Sequence, residues 1–417
     1  MKKLHMTRRQ LLQASAALGF SAAVPFSVGG CNSNSDSPVT ANNWKELAAP
    51  APVGSITPRV IASKDGRVIL TWLEPNQDGT AAFRFSLWRN GAWSQPAVIA
   101  TGFLFSRDRA AAPGVIALSD HSLIAYWSQK PSSKEPSGNE IALYVATSTD
   151  SGEHWSTPAL VNRAAAQTGE DNGYVSAAAL NDTDAALIWL DGRNCEQNKR
   201  VQLMSRTVRA DGAMTEVSLL DPDTCTCCST ALIRTSSGLL AAYRGHTPEN
   251  IRDISLIQNV AGTWSQPRIV HPDRWHIEAC PVNGPHLDTD GKRTALIWFT
   301  APQEQPAVKV AFSEDGGATF GPPLRLDTLN ALGRAQVVLL PPRSAFAFWL
   351  ENVSGTARLI ARRIRGNRHL DEPFELSRGG NIGYPHVART TEAVFLTWAG
   401  KDEDAVSRVR VGILKTA

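Results

Sequence analysis

Arg67-Val68-Ile69-Leu70-Thr71-Trp72 is a short aliphatic and β-branched run that ends in an aromatic, and the pattern occurs seven times along the chain. The next copies are Ser122-Leu123-Ile124-Ala125-Tyr126-Trp127, Ala185-Ala186-Leu187-Ile188-Trp189 and Leu239-Leu240-Ala241-Ala242-Tyr243. The last three end at Trp298, Trp349 and Trp398, and successive aromatics lie 55, 62, 54, 55, 51 and 49 residues apart. Runs this short, rich in β-branched and aromatic residues and flanked by turn formers, predict buried strands. No stretch beyond the N-terminal segment shows sustained helical periodicity. A fixed period near fifty residues marks a repeat architecture in which each unit buries its apolar faces on its neighbours.

A glycine turn follows six of the seven strands at an offset of about 20 residues. Two copies are full octets, Ser148-Thr149-Asp150-Ser151-Gly152-Glu153-His154-Trp155 and Ser313-Glu314-Asp315-Gly316-Gly317-Ala318-Thr319-Phe320. Asn90-Gly91-Ala92-Trp93 and Ala261-Gly262-Thr263-Trp264 are shorter, and Asp211-Gly212 and Arg365-Gly366 are the most reduced. Glycine supplies the positive φ that such a turn needs, and the aspartate accepts backbone hydrogen bonds inside it.

The two octets resemble the Asp box, Ser-x-Asp-x-Gly-x-x-Trp/Phe, of the sialidase (bacterial neuraminidase repeat) superfamily. The resemblance covers the region after the N-terminal segment and implies an all-β propeller, with the box between the third and fourth strands of a blade. The seventh repeat, from Tyr384 to Leu414, stops after a third strand. Asn43-Trp44-Lys45-Glu46-Leu47 resembles the fourth strand of the first repeat, Ala92-Trp93-Ser94-Gln95-Pro96. The expectation is seven blades closed by an N-terminal strand near Trp44. The six-bladed sialidase-type ring is the alternative.

Residues 1–30 have the layout of an export signal, with a basic start, an apolar run from Leu11 to about Val28 and a small-residue end. Thr7-Arg8-Arg9-Gln10-Leu11-Leu12 resembles a twin-arginine signal. Val28-Gly29-Gly30-Cys31 resembles a bacterial lipoprotein box, which implies lipidation at Cys31. Residues 31–41 read as a flexible tether, and 42–417 as one propeller domain. The expected place is the periplasm or cell envelope, anchored to the membrane through the lipid on Cys31 and otherwise monomeric. The whole chain carries 42 basic and 39 acidic residues. Lys2, Lys3, Arg8 and Arg9 account for the excess, leaving 38 against 39 beyond the signal. A phosphate-driven nucleic-acid binder is thereby excluded.

In a propeller the loops that enter the first strand and leave the second share one face, where ligands usually bind. That face is expected to carry Arg59, Arg193, Arg244, Arg252 and Arg334, with Asp191, Asp253, Glu351 and Tyr384. A sialidase resemblance implies arginines on the sugar carboxylate and a tyrosine nucleophile helped by acidic partners. On that reading Asp191, Asp253, Glu351 and Tyr384 are the catalytic candidates. The protein is then an exo-acting glycoside hydrolase on acidic glycans, with no required cofactor.

Cys225, Cys227, Cys228 and Cys280 form a second cluster with His276, with His246 as a further candidate and Cys195 nearby in the repeat order. In an exported protein such cysteines pair as disulfides, or with histidine they hold copper or zinc. Both possibilities stay open at this stage. The Cys-x-Cys-Cys run and Cys280-Pro281-Val282-Asn283-Gly284-Pro285 resemble segments of bacterial exported sialidase-like proteins. The alternative function is therefore a non-hydrolytic envelope propeller that binds a soft metal, a glycan or a protein partner through these loops.

Overall fold

The computed structural model describes residues 43–130, 141–162, 172–193, 200–328, 330–366, 368–379, 381–402 and 404–416. Residues 1–42, with the signal, Cys31 and the whole of the tether, lie outside the described residues, as does Cys195. Among the described residues no helix is long and apolar enough to cross a membrane. Val39–Ala417 forms one compact unit.

The unit is all-β. Each of the seven aromatic-ended runs is the second strand of an antiparallel meander: Val68–Pro75, Leu123–Lys130, Asp184–Asp191, Gly238–Arg244, Thr294–Thr300, Ser344–Val353 and Ala393–Lys401. Six sheets result. One has nine strands and holds the first two repeats, joined where Leu104 and Phe105 pair with Lys130 and Gln129. The seventh repeat supplies three strands, and Trp44–Leu47 pairs with Ser407–Lys415 as the fourth, with Trp44 opposite Leu414.

Burial follows from this layering. A second strand is covered on both faces, so its run is apolar without alternation. Trp72, Trp127, Trp189, Trp298, Trp349 and Trp398 are all fully buried. Apolar clusters lie between consecutive repeats; one joins Val68, Leu70 and Trp72 of the first repeat to Phe395 and Val411 of the seventh. The first strands also lie against one another in chain order, and Ile56–Ala62 lies against His386–Arg389.

The two octet turns share one network. Ser148 donates to Asp150, the Gly152 amide donates to Ser148 Oγ, and the His154 amide donates to Asp150 at 2.9 Å. Ser313, Asp315, Gly317 and Thr319 repeat it. Gly152 and Gly317 have φ of +91° and +89°, and a Cβ there would strike Phe85 and Leu240 of the preceding repeat. The octet glycine thus serves two needs, the turn and the close approach. Trp155 then packs edge-on against Phe85 at 6.1 Å.

Candidate functional site

Register builds the site. In each repeat, one residue of the first strand pairs with the residue just before the buried aromatic. Those residues are Arg59, Gly114, Ser176, Ala231, His286, Gln336 and His386. Four of them carry polar chemistry with little internal use. Among the described residues Arg59 reaches only the Ala112 carbonyl, at 3.4 Å, and it stands 5.6 Å over the Tyr126 ring. Gly114 admits Tyr126 because a Cβ there would meet its hydroxyl at 2.5 Å. Gln336 keeps its Oε1 buried without a partner. His286 accepts the Val337 amide at Nδ1. Burial, then the positive charge of Arg59, pushes His286 down to about 4. The same two causes, with His286 itself, hold His386 well below the ordinary imidazole range. Both rings are thereby held neutral at pH 7, and the one lone pair of His286 is taken by the Val337 amide.

Two positions earlier in the chain stand Thr57, Tyr174 and Arg334, within their strands, and Tyr384, just ahead of His386–Arg389. Thr57, Tyr174 and Arg334 have φ of 47°, 56° and 53°, each inside a register shift of its strand. Bulges of this kind re-aim side chains, and non-glycine residues in this region cluster at functional sites. Arg334 stacks 4.8 Å over the Tyr384 ring and donates to the Ile382 carbonyl at 2.5 Å. The Tyr384 hydroxyl donates to the Val282 carbonyl. Tyr174 donates to Asp108 at 2.9 Å. Burial raises both phenols above their ordinary range; Arg334 opposes this at Tyr384, and Asp108 adds to it at Tyr174.

The acidic candidates are placed differently. Asp191 accepts the Trp189 indole N–H at 2.9 Å and two Arg193 bonds at 2.7 and 2.8 Å, and its side chain is fully buried. Glu351 accepts the Trp349 indole at 2.8 Å. Trp72–Glu74 and Trp127–Gln129 repeat the contact. An acceptor two residues after the tryptophan is therefore a repeat feature that satisfies a buried indole donor. Asp253 accepts the Arg274 and Trp275 amides, at 2.9 and 3.1 Å. These three carboxylates hold the fold together where they stand.

The arginines separate in the same way. Arg193 is committed to Asp191, whereas Arg59, Arg244, Arg252 and Arg334 have no carboxylate partner among the described residues. Arg244 is only 2% exposed; it donates to the carbonyls of Asn283, Arg252 and Phe299 and lies 4.8 Å over Trp275. Asn283 also accepts the Arg334 amide at 2.7 Å. The Cys280–Pro285 segment thus ties Arg244, Arg334 and Tyr384 into one network.

The cysteines are free, with no disulfide among the described residues. Cys225, Cys227 and Cys228 converge; the Cys225 sulfur lies 4.0 Å from that of Cys227 and 3.5 Å from that of Cys228. Cys280 stays exposed and contacts Thr226 at 3.4 Å, and His276 is exposed on a bridge to Ile251. Both therefore stand outside the thiol cluster. His246 is held by Asp223 at 2.7 Å and Asn250 at 3.1 Å. Hydrogen bonding with Cys227, then Cys228, and further the Arg252 guanidinium at 3.3 Å, draw Cys225 toward its thiolate. Burial pushes Cys228 up.

Sequence reasoning did not single out Asp108, Tyr174, His286, Gln336 or His386 as site residues. The available signal was positional, since the register residue lies twelve or thirteen places before each buried aromatic.

No protein-family model and no curated protein matches the chain by sequence. Solved structures do match by fold. A polysaccharide lyase of a new family, an ulvan lyase bound to a GlcA–Rha3S saccharide, superposes with a TM-score of 0.56 at 12% identity; the match covers 88% of this chain and 95% of that one. A sialidase of Trypanosoma rangeli matches at 0.48 and 10%, over 88% of this chain and 59% of that one. The Hadza microbial sialidase Hz136 matches at 0.47 and 14%, over 84% and 76%. At these identities the likeness is one of fold: an all-β fold of the β-propeller type, similar to sialidases and a polysaccharide lyase.

Proposed function

We propose that the protein is an envelope propeller that acts on an acidic glycan at the centre of its loop face. The observation that carries this reading is the pairing of unspent guanidiniums with neutral histidines. Arg59 and Arg334 lack carboxylate partners among the described residues, and Arg59 is close enough to His286 and His386 to depress both. A planar guanidinium matches a sugar carboxylate. The exo-acting hydrolase reading needs Asp191, Asp253 and Glu351, which are engaged by buried indole, guanidinium and amide donors. Elimination uses what is left. A base removes the proton α to the carboxylate, the C–O bond at the neighbouring carbon breaks to leave a double bond, and the leaving oxygen takes a proton. Arg59 and Arg334 hold the carboxylate, His386 receives the proton, and Tyr384 or Tyr174 returns one. The saccharide of the ulvan lyase structure, which contains GlcA, is the kind of uronate that fits this scheme.

The test is incubation with uronate-bearing polysaccharides and with sialosides. Elimination produces the ultraviolet absorbance of an unsaturated uronate, and this signal disappears in Arg334→Ala and His386→Gln variants. Release of free sugar without that absorbance, or no turnover on any acidic glycan, sinks the reading.

The ring itself is proposed to have seven blades, closed by Trp44–Leu47. Pairing of that strand with Ser407–Lys415 and the apolar cluster between first and seventh repeats support closure. Export through the twin-arginine route and lipidation at Cys31 complete the proposal; mass measurement of the membrane-extracted N-terminal peptide, before and after Cys31→Ser, tests the anchor.

A further inference from the structure

Three thiols meet two cations in the interior of the fourth repeat. Cys225, Cys227 and Cys228 are 1%, 8% and 1% exposed, and their sulfurs all lie within 4.8 Å of one another. Arg252 donates to the Cys225 sulfur at 3.3 Å and leaves its Nε buried without a partner. Arg244 sits behind it, donating to the Arg252 carbonyl at 2.6 Å, and is close enough to Cys228 to act on its charge. Neither guanidinium has a carboxylate partner among the described residues. Two buried cations without a carboxylate beside them are costly, and the three sulfurs are the groups placed to supply negative charge.

We propose that Cys225, Cys227 and Cys228 form an all-sulfur trigonal site for one copper(I) ion, with Arg252 and Arg244 as its built-in counter-charges. Geometry fits a single small ion. A metal–sulfur distance of about 2.3 Å places three trigonal sulfurs about 4.0 Å apart. The observed separations from Cys225 are 4.0 and 3.5 Å. The donor set selects the metal. Thiolates favour copper(I) and zinc, but structural zinc takes four ligands. Among the described residues a fourth ligand is not at hand: His276 and Cys280 are exposed and stand outside the cluster, and both His246 nitrogens are engaged. Charge agrees. Three thiolates and one monovalent ion sum to two negative charges, which the two guanidiniums cancel. Loading displaces the protons still held by the sulfurs and changes no oxidation state. Tyr174 packs against the cluster, so the metal would lie directly beneath the loop-face tyrosines.

The experiment titrates the full chain, purified without oxygen, with copper(I) held by a coloured chelator. One equivalent is withdrawn per chain, and X-ray absorption shows sulfur neighbours only. Cys225→Ser, Cys227→Ser and Cys228→Ser each abolish that withdrawal, whereas Cys280→Ser retains it. Arg252→Met keeps all three thiols and weakens retention at least tenfold, so the idea stays testable if a serine variant fails to fold. Undiminished retention in Cys227→Ser, zinc bound in preference to copper, or a Cys225–Cys228 disulfide in protein recovered from the cell envelope overturns it.

Discussion

Acidification should loosen this protein well above the range in which carboxylates titrate, and His286 is the reason. In the unfolded chain its imidazole titrates near 6.5. In the folded protein burial and Arg59 hold it at about 4. The unfolded state therefore binds the proton first, and stability falls as pH drops through 6.5 until the folded ring also protonates near 4. At pH 5 the chain is about 1.5 units below the unfolded value, and each unit is worth about 1.4 kcal/mol, a loss of about 2 kcal/mol relative to pH 7.5. His386 is depressed by the same surroundings and adds to the loss. The octet aspartates, Asp150 and Asp315, are held below the usual carboxylate range, so their contribution is lost only at lower pH. Urea unfolding at pH 7.5 and pH 5 measures the difference through the midpoint and slope. His286→Gln carries no titrating ring and should recover about 2 kcal/mol of that pH-dependent loss. An equal loss in wild type and His286→Gln would refute the assignment of His286 to a buried, Arg59-facing place.

Three further outcomes follow from the packing and the site. Asp191→Ala leaves the Trp189 indole and Arg193 unpaired in the interior and should cost about 3–5 kcal/mol in urea unfolding; a catalytic role would instead remove turnover with the midpoint unchanged. Gly412→Val drives a side chain into the Trp44 indole, so Trp44–Leu47 should detach and limited proteolysis should cut ahead of Pro50 while the central strands stay protected. Tyr384→Phe removes the hydroxyl that meets the Val282 carbonyl but keeps the ring beneath Arg334, so turnover on an acidic glycan should fall at least tenfold with little change in melting temperature.

The fold was legible because its strongest constraint is local. A second strand buried on both faces must be apolar throughout, and its terminal tryptophan fills the space between sheets, as at Trp72 and Trp398. The pairing of Trp44–Leu47 with the seventh repeat was legible for the same reason, since Trp44 packs on Trp398 with ring centres 6.1 Å apart. The site was harder to read because it depends on register. Asp191 and Glu351 look like exposed loop acids until Glu74 and Gln129 are seen to make the same indole bond. His286 and Tyr174 gain their places from strand pairing and from a bulge, neither of which leaves a local motif. The thiol cluster was legible in part: Cys225, Cys227 and Cys228 do meet, but His276 and Cys280 sit on the surface because the chain between Trp275 and Pro285 runs outside any sheet.

Trp44 opposite Leu414 also sets an order in time. The two partners are 370 residues apart, so the first strand waits for nearly the whole chain to be made. At roughly 5–20 residues per second that is on the order of 20–70 s after the strand itself is synthesised. Until then the edge of Ser407–Lys415 does not exist, and the outer surface it should cover is open to the wrong pairing. Pairing of Trp44–Leu47 is therefore tied to the last event of folding, the arrival of Val411–Leu414.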